Sequence, residues 1–207
     1  MSTISPLRIK SLLRTFFLAA ALLTIAATDA YAQSGRWSPL TTANASSTLT
    51  YTAEAPILRK PGKFIVSFYC NPYNGKNSSG AIGFNLTVAH ATTLTPFNFD
   101  DFEGPDATAA AKQLVEVIVK RGGKTTFTMK ESASGSYQEN EAFMFGVSKL
   151  NKVARSNVKT LLRELAAGAD SLQITITDSR NAAIKLLFEV PVHGKQAEFS
   201  KLLINLK

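Results

Sequence analysis

The sequence predicts a mainly β protein, an antiparallel β-sandwich with one clear helix before the last hairpin and a short C-terminal helix. Three observations predict it. From Lys63 onward, short runs alternate apolar and polar residues with the period of a half-buried strand. Turn-forming clusters such as Arg121-Gly122-Gly123 and Asp178-Ser179-Arg180-Asn181 join consecutive runs. Only the stretch from Ser148 to Gly168 shifts to helical spacing, and nothing alternates strand, helix, strand as a parallel sheet requires.

The chain opens on a segment that reads as an export signal. Arg8, Lys10 and Arg14 precede an apolar run from Thr15 to Ala27, and Ala30-Tyr31-Ala32 supplies a small-residue cleavage site before Gln33. The 13-residue run is short of the ~20 apolar residues a spanning helix wants. Cleavage after Ala32 is expected to release one β-sandwich domain, residues 33–207, as a soluble periplasmic or secreted protein. Losing three cations and one anion takes the formal charge from +8 to +6. Such a charge favours anionic surfaces or simply keeps a protein in solution. The one cysteine, Cys70, has no partner in the chain for a disulfide, so its place in an apolar strand reads as packing.

The elements follow in order. Residues 33–50, rich in Ser, Thr, Ala and Asn, read as a loose entry with one short strand near Trp37. Phe64, Val66, Phe68 and Cys70 then share one strand face, and Asn71 to Gly75 break the run. Ile82, Phe84, Leu86 and Val88 alternate against Gly83, Asn85 and Thr87, with His90 continuing the inward face. An aromatic and acidic loop runs from Phe97 to Asp106. Residues 114–120 and 124–130 form a hairpin about the two glycines, with Lys120, Arg121 and Lys124 at its tip. A polar loop, 131–141, leads into a strand at Phe143 to Phe145. Leu150, Val153, Ala154, Val158, Leu161, Leu162 and Leu165 mark the helix, which Ser148 or Ser156 would cap and Gly168 would end. Leu172 to Ile176 and Ile184 to Val190 make the last hairpin. Phe199, Leu202, Leu203 and Leu206 would be the inward face of a C-terminal helix.

No catalytic residue is assigned. His90 and His193 lack a nucleophile in a recognisable setting, there is no G-x-S-x-G elbow, and neither histidine has the clustered ligands a zinc site needs. No cofactor and no metal are expected. Two groups of residues stand out as candidate contact surfaces. Lys149, Lys152, Arg155, Lys159 and Arg163 are spaced to share one helix face, opposite the apolar one. This is either an ordinary solvated face or a ridge that binds an anionic partner such as lipopolysaccharide, teichoic acid or an acidic protein. The second group is Phe97, Phe99, Asp100, Asp101, Phe102 and Glu103, together with Asp106. Its rings either tuck against the sandwich or form an exposed partner patch, and its acids either stay solvated or collect a hard cation. Nucleic acid is a poor match for an exported protein without aromatics beside its charges.

Phe68-Tyr69-Cys70 ending a strand, a helix before a hairpin, and Phe188 to Gly194 running into a leucine-bearing short helix resemble the invasion-associated locus B family and the VasI-like periplasmic proteins. The resemblance implies a small non-catalytic β-sandwich of the bacterial periplasm or cell surface, concerned with envelope integrity or host contact. It transfers no functional residues. The expected function is therefore that of an exported accessory protein that binds an anionic envelope component or a protein partner, with peripheral membrane contact open and oligomeric state unassigned. Two rival readings are an inhibitor of a lytic enzyme such as lysozyme, contacted through Asp100 to Asp106, and a glycan-active enzyme using Glu116 and Glu189.

Overall fold

The computed structural model describes residues 34–43, 46–71, 81–148 and 152–204, excluding the side chains of 148 and 152–156. The expected signal peptide, Lys149, Leu150 and Leu206 lie outside the described residues. Two antiparallel sheets pack against each other. The larger contains β1 (Ser34–Trp37), β2 (Thr41–Ala43), β3 (Ser46–Ile57), β4 (Lys60–Asn71), β5 (Ala81–Val88), β8 (Ser134–Tyr137) and β9 (Phe143–Ser148). Its order is β1-β3-β4-β5-β9-β8, with β2 also on the outer edge of β3. The smaller sheet, β11-β10-β6-β7, contains β6 (Val115–Arg121), β7 (Lys124–Glu131), β10 (Ser171–Thr177) and β11 (Lys185–Pro191). Helix α1 spans Lys152–Ala166 and α2 spans Gln196–Ile204.

Period-two burial assigns the faces. Leu49, Tyr51, Phe64, Val66, Phe68, Phe84 and Leu86 of the larger sheet point inward and are at most 1% exposed. From the smaller sheet, Val115, Val117, Val119, Leu172, Ile174, Leu186 and Phe188 meet them. Phe188 on β11 lies edge-on to Phe64 on β4 with ring centroids 5.0 Å apart, which fixes the contact between the sheets. Cys70, fully buried at the end of β4, is part of this core.

The two sheets differ in width, six strands against four. At ~4.8 Å per strand, about 10 Å of the larger sheet's inner face lies beyond the smaller one and needs another cover. Two coverings serve. α2 sets Phe199 against Trp37 and Phe68, at 5.7 and 5.3 Å between centroids, and α1 packs on α2 and β5. Over β9 and β8 the cover is the segment between β5 and β6: Phe97, Phe99 and Phe102 stack on Phe143 and Phe145 at 5.2 to 6.3 Å. Gly135 of β8 has no side chain because a Cβ there would stand 2.2 Å from the Phe143 ring.

The β6–β7 turn matches its expectation: Gly122 and Gly123 have φ of +56° and +74°, the left-handed pair of a two-residue hairpin. The last hairpin and both helices also fall where their periodicity predicts, with Val158, Leu161, Leu162 and Leu165 buried beneath α1 and Phe199 and Leu202 beneath α2. Gly168, at φ +100°, ends α1. Several details differ. Residues 46–57 form the 12-residue strand β3 rather than part of a loose entry. The 131–141 loop contains β8, paired with β9. Ser156 lies inside α1 and Ser148 within β9, so neither is the cap. His90 does not continue the inward face of β5; it is exposed, at φ +52°, in the turn that follows.

Two predictions follow from this packing. Replacing the fully buried Phe102 by alanine removes one of the rings covering β9 and should destabilise the fold by about 3–5 kcal/mol, measured by urea unfolding. The β3–β4 turn places Leu58 and Arg59 at φ +50° and +66°, left-handed positions that disfavour any side chain with a Cβ. Arg59→Gly, at an exposed site, should therefore raise stability by about 1 kcal/mol, and unchanged or lower stability would show that the turn is not strained.

Candidate functional site

The aromatic and acidic loop is built into the sandwich. Phe97, Phe99 and Phe102 are 5%, 3% and 0% exposed, so of the two alternatives for these rings the structure shows the buried one. They form core rather than an apolar surface patch. Their acidic neighbours turn outward and find partners elsewhere in the chain. Asp100 accepts a hydrogen bond of 2.8 Å from the Tyr137 hydroxyl on β8. Asp101 receives a two-pronged contact from Arg180, with Nη2 at 2.6 Å from Oδ1 and Nε at 2.9 Å from Oδ2, and a further bond from the Ser179 hydroxyl. Glu103 remains exposed, while its backbone bridges Gly135. Asp106 is exposed.

The partners of Asp101 come from a turn that sequence reading treats only as a connection. Asp178, 4% exposed, folds its own turn by accepting from the backbone N–H groups of Arg180 and Asn181, each at 2.9 Å. Its other oxygen accepts from the Asn98 backbone N–H at 2.7 Å. The β10–β11 turn thus holds the loop at two points, Asn98 and Asp101. Arg180, Ser179 and Tyr137 carry no motif that would mark them in advance, because their pairings join segments 37 to 79 residues apart. Asp100 and Asp101 face different partners, and among the described residues no three His, Cys, Asp or Glu side chains gather to hold a metal ion.

The ionisation of the loop follows from these contacts. The Arg180 hydrogen bonds hold the Asp101 carboxyl below its ordinary value near 3.8; burial opposes them and the Ser179 bond assists. Burial pushes the Tyr137 phenol up to about 12, and the hydrogen bond to Asp100 adds to the shift.

The second candidate surface lies on α1. At 100° per residue, positions 152, 155, 159 and 163 span an arc of about 80° that lies roughly opposite Leu161 and borders the buried face at Leu162, about 20° from position 155. Arg163 is exposed and Lys159 half-buried; Lys149 precedes the helix and lies outside the described residues. No ion pair to Lys159 or Arg163 occurs among the described residues. By contrast, the basic cluster at the β6–β7 tip is partly engaged. Arg121 lies 3.5 Å from the Glu164 carboxylate and also bonds the Glu164 carbonyl, and Lys120 donates to Gln173 Oε1 at 3.3 Å.

Glu116 and Glu189 both point to the outer face of the smaller sheet. The register pairs Glu116 with Thr175 and Glu189 with Gln173, which sets them two strands and two residues apart, roughly 12 Å between Cα atoms. Glu116 is 3.6 Å from Lys130. His193 is exposed in the turn before α2.

The two shifted groups set opposite pH limits. A carboxyl held low stabilises the fold above its unfolded value near 4 and loses that contribution as pH falls through the lower folded value. A phenol held high stabilises below its unfolded value of 10 and loses the contribution as pH rises toward 12. Relative to the unsubstituted protein, Arg180→Gln should therefore be less stable at neutral pH, with the gap closing below pH ~4. Tyr137→Phe should show a gap that closes between pH 10 and about 12. Urea unfolding across the pH range checks both. Comparison with protein-family models, curated proteins and solved structures finds no match to this chain.

Proposed function

We propose that the protein is an exported, non-catalytic β-sandwich that acts by binding an anionic component of the cell envelope through the basic face of α1. The observation that supports this reading is the division of α1 into a buried leucine and valine face and an adjoining basic face on which Lys159 and Arg163 have no carboxylate partner among the described residues. Like charges on one ridge repel each other, and an anionic surface relieves that repulsion. Two other α1 side chains are engaged in the fold: Asn157 donates to the buried Glu131 at 2.9 Å, and Glu164 holds Arg121. These contacts fix the helix rotation, so the ridge keeps a constant direction.

A lysozyme-type partner reached through the acidic loop has less support. Asp101 would have to leave Arg180, and Asp100 would have to leave Tyr137, before either met a basic enzyme.

The test is retention of the protein on anionic envelope preparations at low and high salt. The triple substitution Arg155→Gln, Lys159→Gln and Arg163→Gln should reduce retention at low salt by an order of magnitude or more and flatten its salt dependence. Retention equal to that of the unsubstituted protein would remove α1 as the binding surface.

A further inference from the structure

The larger sheet carries a second surface that the α1 reading does not use. Strand register assembles it. One row across β3, β4, β5, β9 and β8 reads Thr50, Ser67, Asn85, Gly146, Ser134. The adjacent row reads Thr48, Tyr69, Gly83. All face outward, because their strand neighbours Leu49, Phe68 and Phe84 face the core. Neither row contains a charge; the charged residues of this face, Arg36, Glu54 and Lys63, stand toward its other end.

An open hollow of about 380 Å³ lies over these rows, lined by Thr48, Ser67, Tyr69, Asn71 and Asn85. Its volume falls within the ~300–1,000 Å³ of small-ligand sites. Thr50 and Ser67 bond each other through their hydroxyls at 3.1 Å. Among the described residues, no hydrogen bond from the protein engages the Tyr69 hydroxyl or the side-chain amides of Asn71 and Asn85. Those groups donate and accept with equal ease.

The chemistry of the lining selects its occupant. Among the described lining residues no charge stands ready to replace an ion's hydration, which disfavours phosphates, carboxylates and amines. An apolar ligand would strip water from hydroxyls and amides without compensation. A polyhydroxylated neutral chain satisfies both requirements: its hydroxyls exchange hydrogen bonds with Asn71 and Asn85, and its C–H faces rest on the Tyr69 ring. Gly83 and Gly146 keep the adjoining strands low enough for a flat ligand to cross them. We propose that this face binds a neutral polysaccharide strand of the cell envelope. The envelope source rests on the reading under Proposed function; the site and the neutral ligand class do not.

The experiment is calorimetric titration of the purified protein with a neutral N-acetylglucosamine tetrasaccharide and with maltoheptaose, alongside retention on insoluble cell-wall polysaccharide at low and high salt. The expected result is binding of a neutral sugar whose affinity does not change with salt. Tyr69→Ala should weaken it about tenfold or more through loss of the stacking surface. Gly146→Arg provides a blocking variant that keeps the fold, since a Cβ at Gly146 meets only Asn85 Oδ1 at 3.6 Å and the Ser134 carbonyl at 3.7 Å, ordinary contact distances. It too should abolish sugar binding while leaving the thermal midpoint in place. The α1 glutamine variant should bind neutral sugar as the unsubstituted protein does. Failure of both neutral oligosaccharides to bind overturns the proposal, as does full binding by Gly146→Arg. Retention only on anionic material overturns it while leaving the α1 reading intact.

Discussion

A sheet six strands wide has more apolar inner face than a four-stranded partner can cover, and much of the molecule's irregular structure answers that mismatch. Each uncovered strand leaves a row of large side chains, here Phe143 and Phe145 on one flank and Trp37 and Phe68 on the other, and water against them costs about 25 cal/mol for each Å² exposed. The chain supplies rings from outside the sheets to both flanks. On one, α2 brings Phe199 edge-on against both Trp37 and Phe68, and the Trp37 indole N–H donates to the Pro191 carbonyl at 2.8 Å, tying β1 to the end of β11 across the two sheets. On the other, a connection with only short helical turns brings Phe97, Phe99 and Phe102. The loop therefore cannot be separated from the core it completes.

This requirement also accounts for the loop's acids. A segment that buries three phenylalanines within six residues must place its intervening polar groups at the rim. A carboxylate at such a rim is stabilised when a cation or hydroxyl from a neighbouring segment meets it. Arg180, Ser179 and Tyr137 meet these carboxylates, and Asp178 fixes the turn that presents two of them. What reads in one dimension as an acidic, aromatic binding motif is in three dimensions the seam between the long connection, β8 and the β10–β11 turn.

The parts of the fold legible in sequence are those whose signal is local. Ile82 to Val88 alternates cleanly, Gly122-Gly123 names its own turn, and Val158 to Leu165 keeps helical spacing; all three stand as expected. The missed strands have physical reasons. β3 alternates Leu49, Tyr51 and Ala53 with Thr48, Thr50 and Thr52, but its composition resembles that of a linker. Its turn to β4 uses Leu58 and Arg59 in left-handed conformations where glycine or asparagine would announce a hairpin. β8 reads Ser-Gly-Ser-Tyr, too small and polar to display a period, because its inward positions are a glycine that makes room for Phe143 and a tyrosine reaching Asp100. The candidate sites divide in the same way. The grouping of the α1 cations is a property of the sequence, since helix geometry maps spacing onto a face, and of their side chains the structure describes Lys159 and Arg163. The neutral surface of the larger sheet was not legible, because its rows join residues from five strands and exist only once the register is known.

On the two proposals made above, these surfaces would share a single mode of action. Cations concentrated on a helix act over about a Debye length, roughly 8 Å at physiological salt, and give attraction with little selectivity. Hydroxyls and amides on a sheet face act only at contact and depend on the placement of each partner group. A protein carrying both, on rigid elements braced by the same core, can be drawn to an anionic envelope by one surface and discriminate among neutral chains with the other. Neither task requires a reacting group. Selectivity would then depend on strand register, and since β3 and β4 carry much of the inner core as well as Thr48, Ser67 and Tyr69, the packing that stabilises the sandwich also positions the surface that would read its ligand.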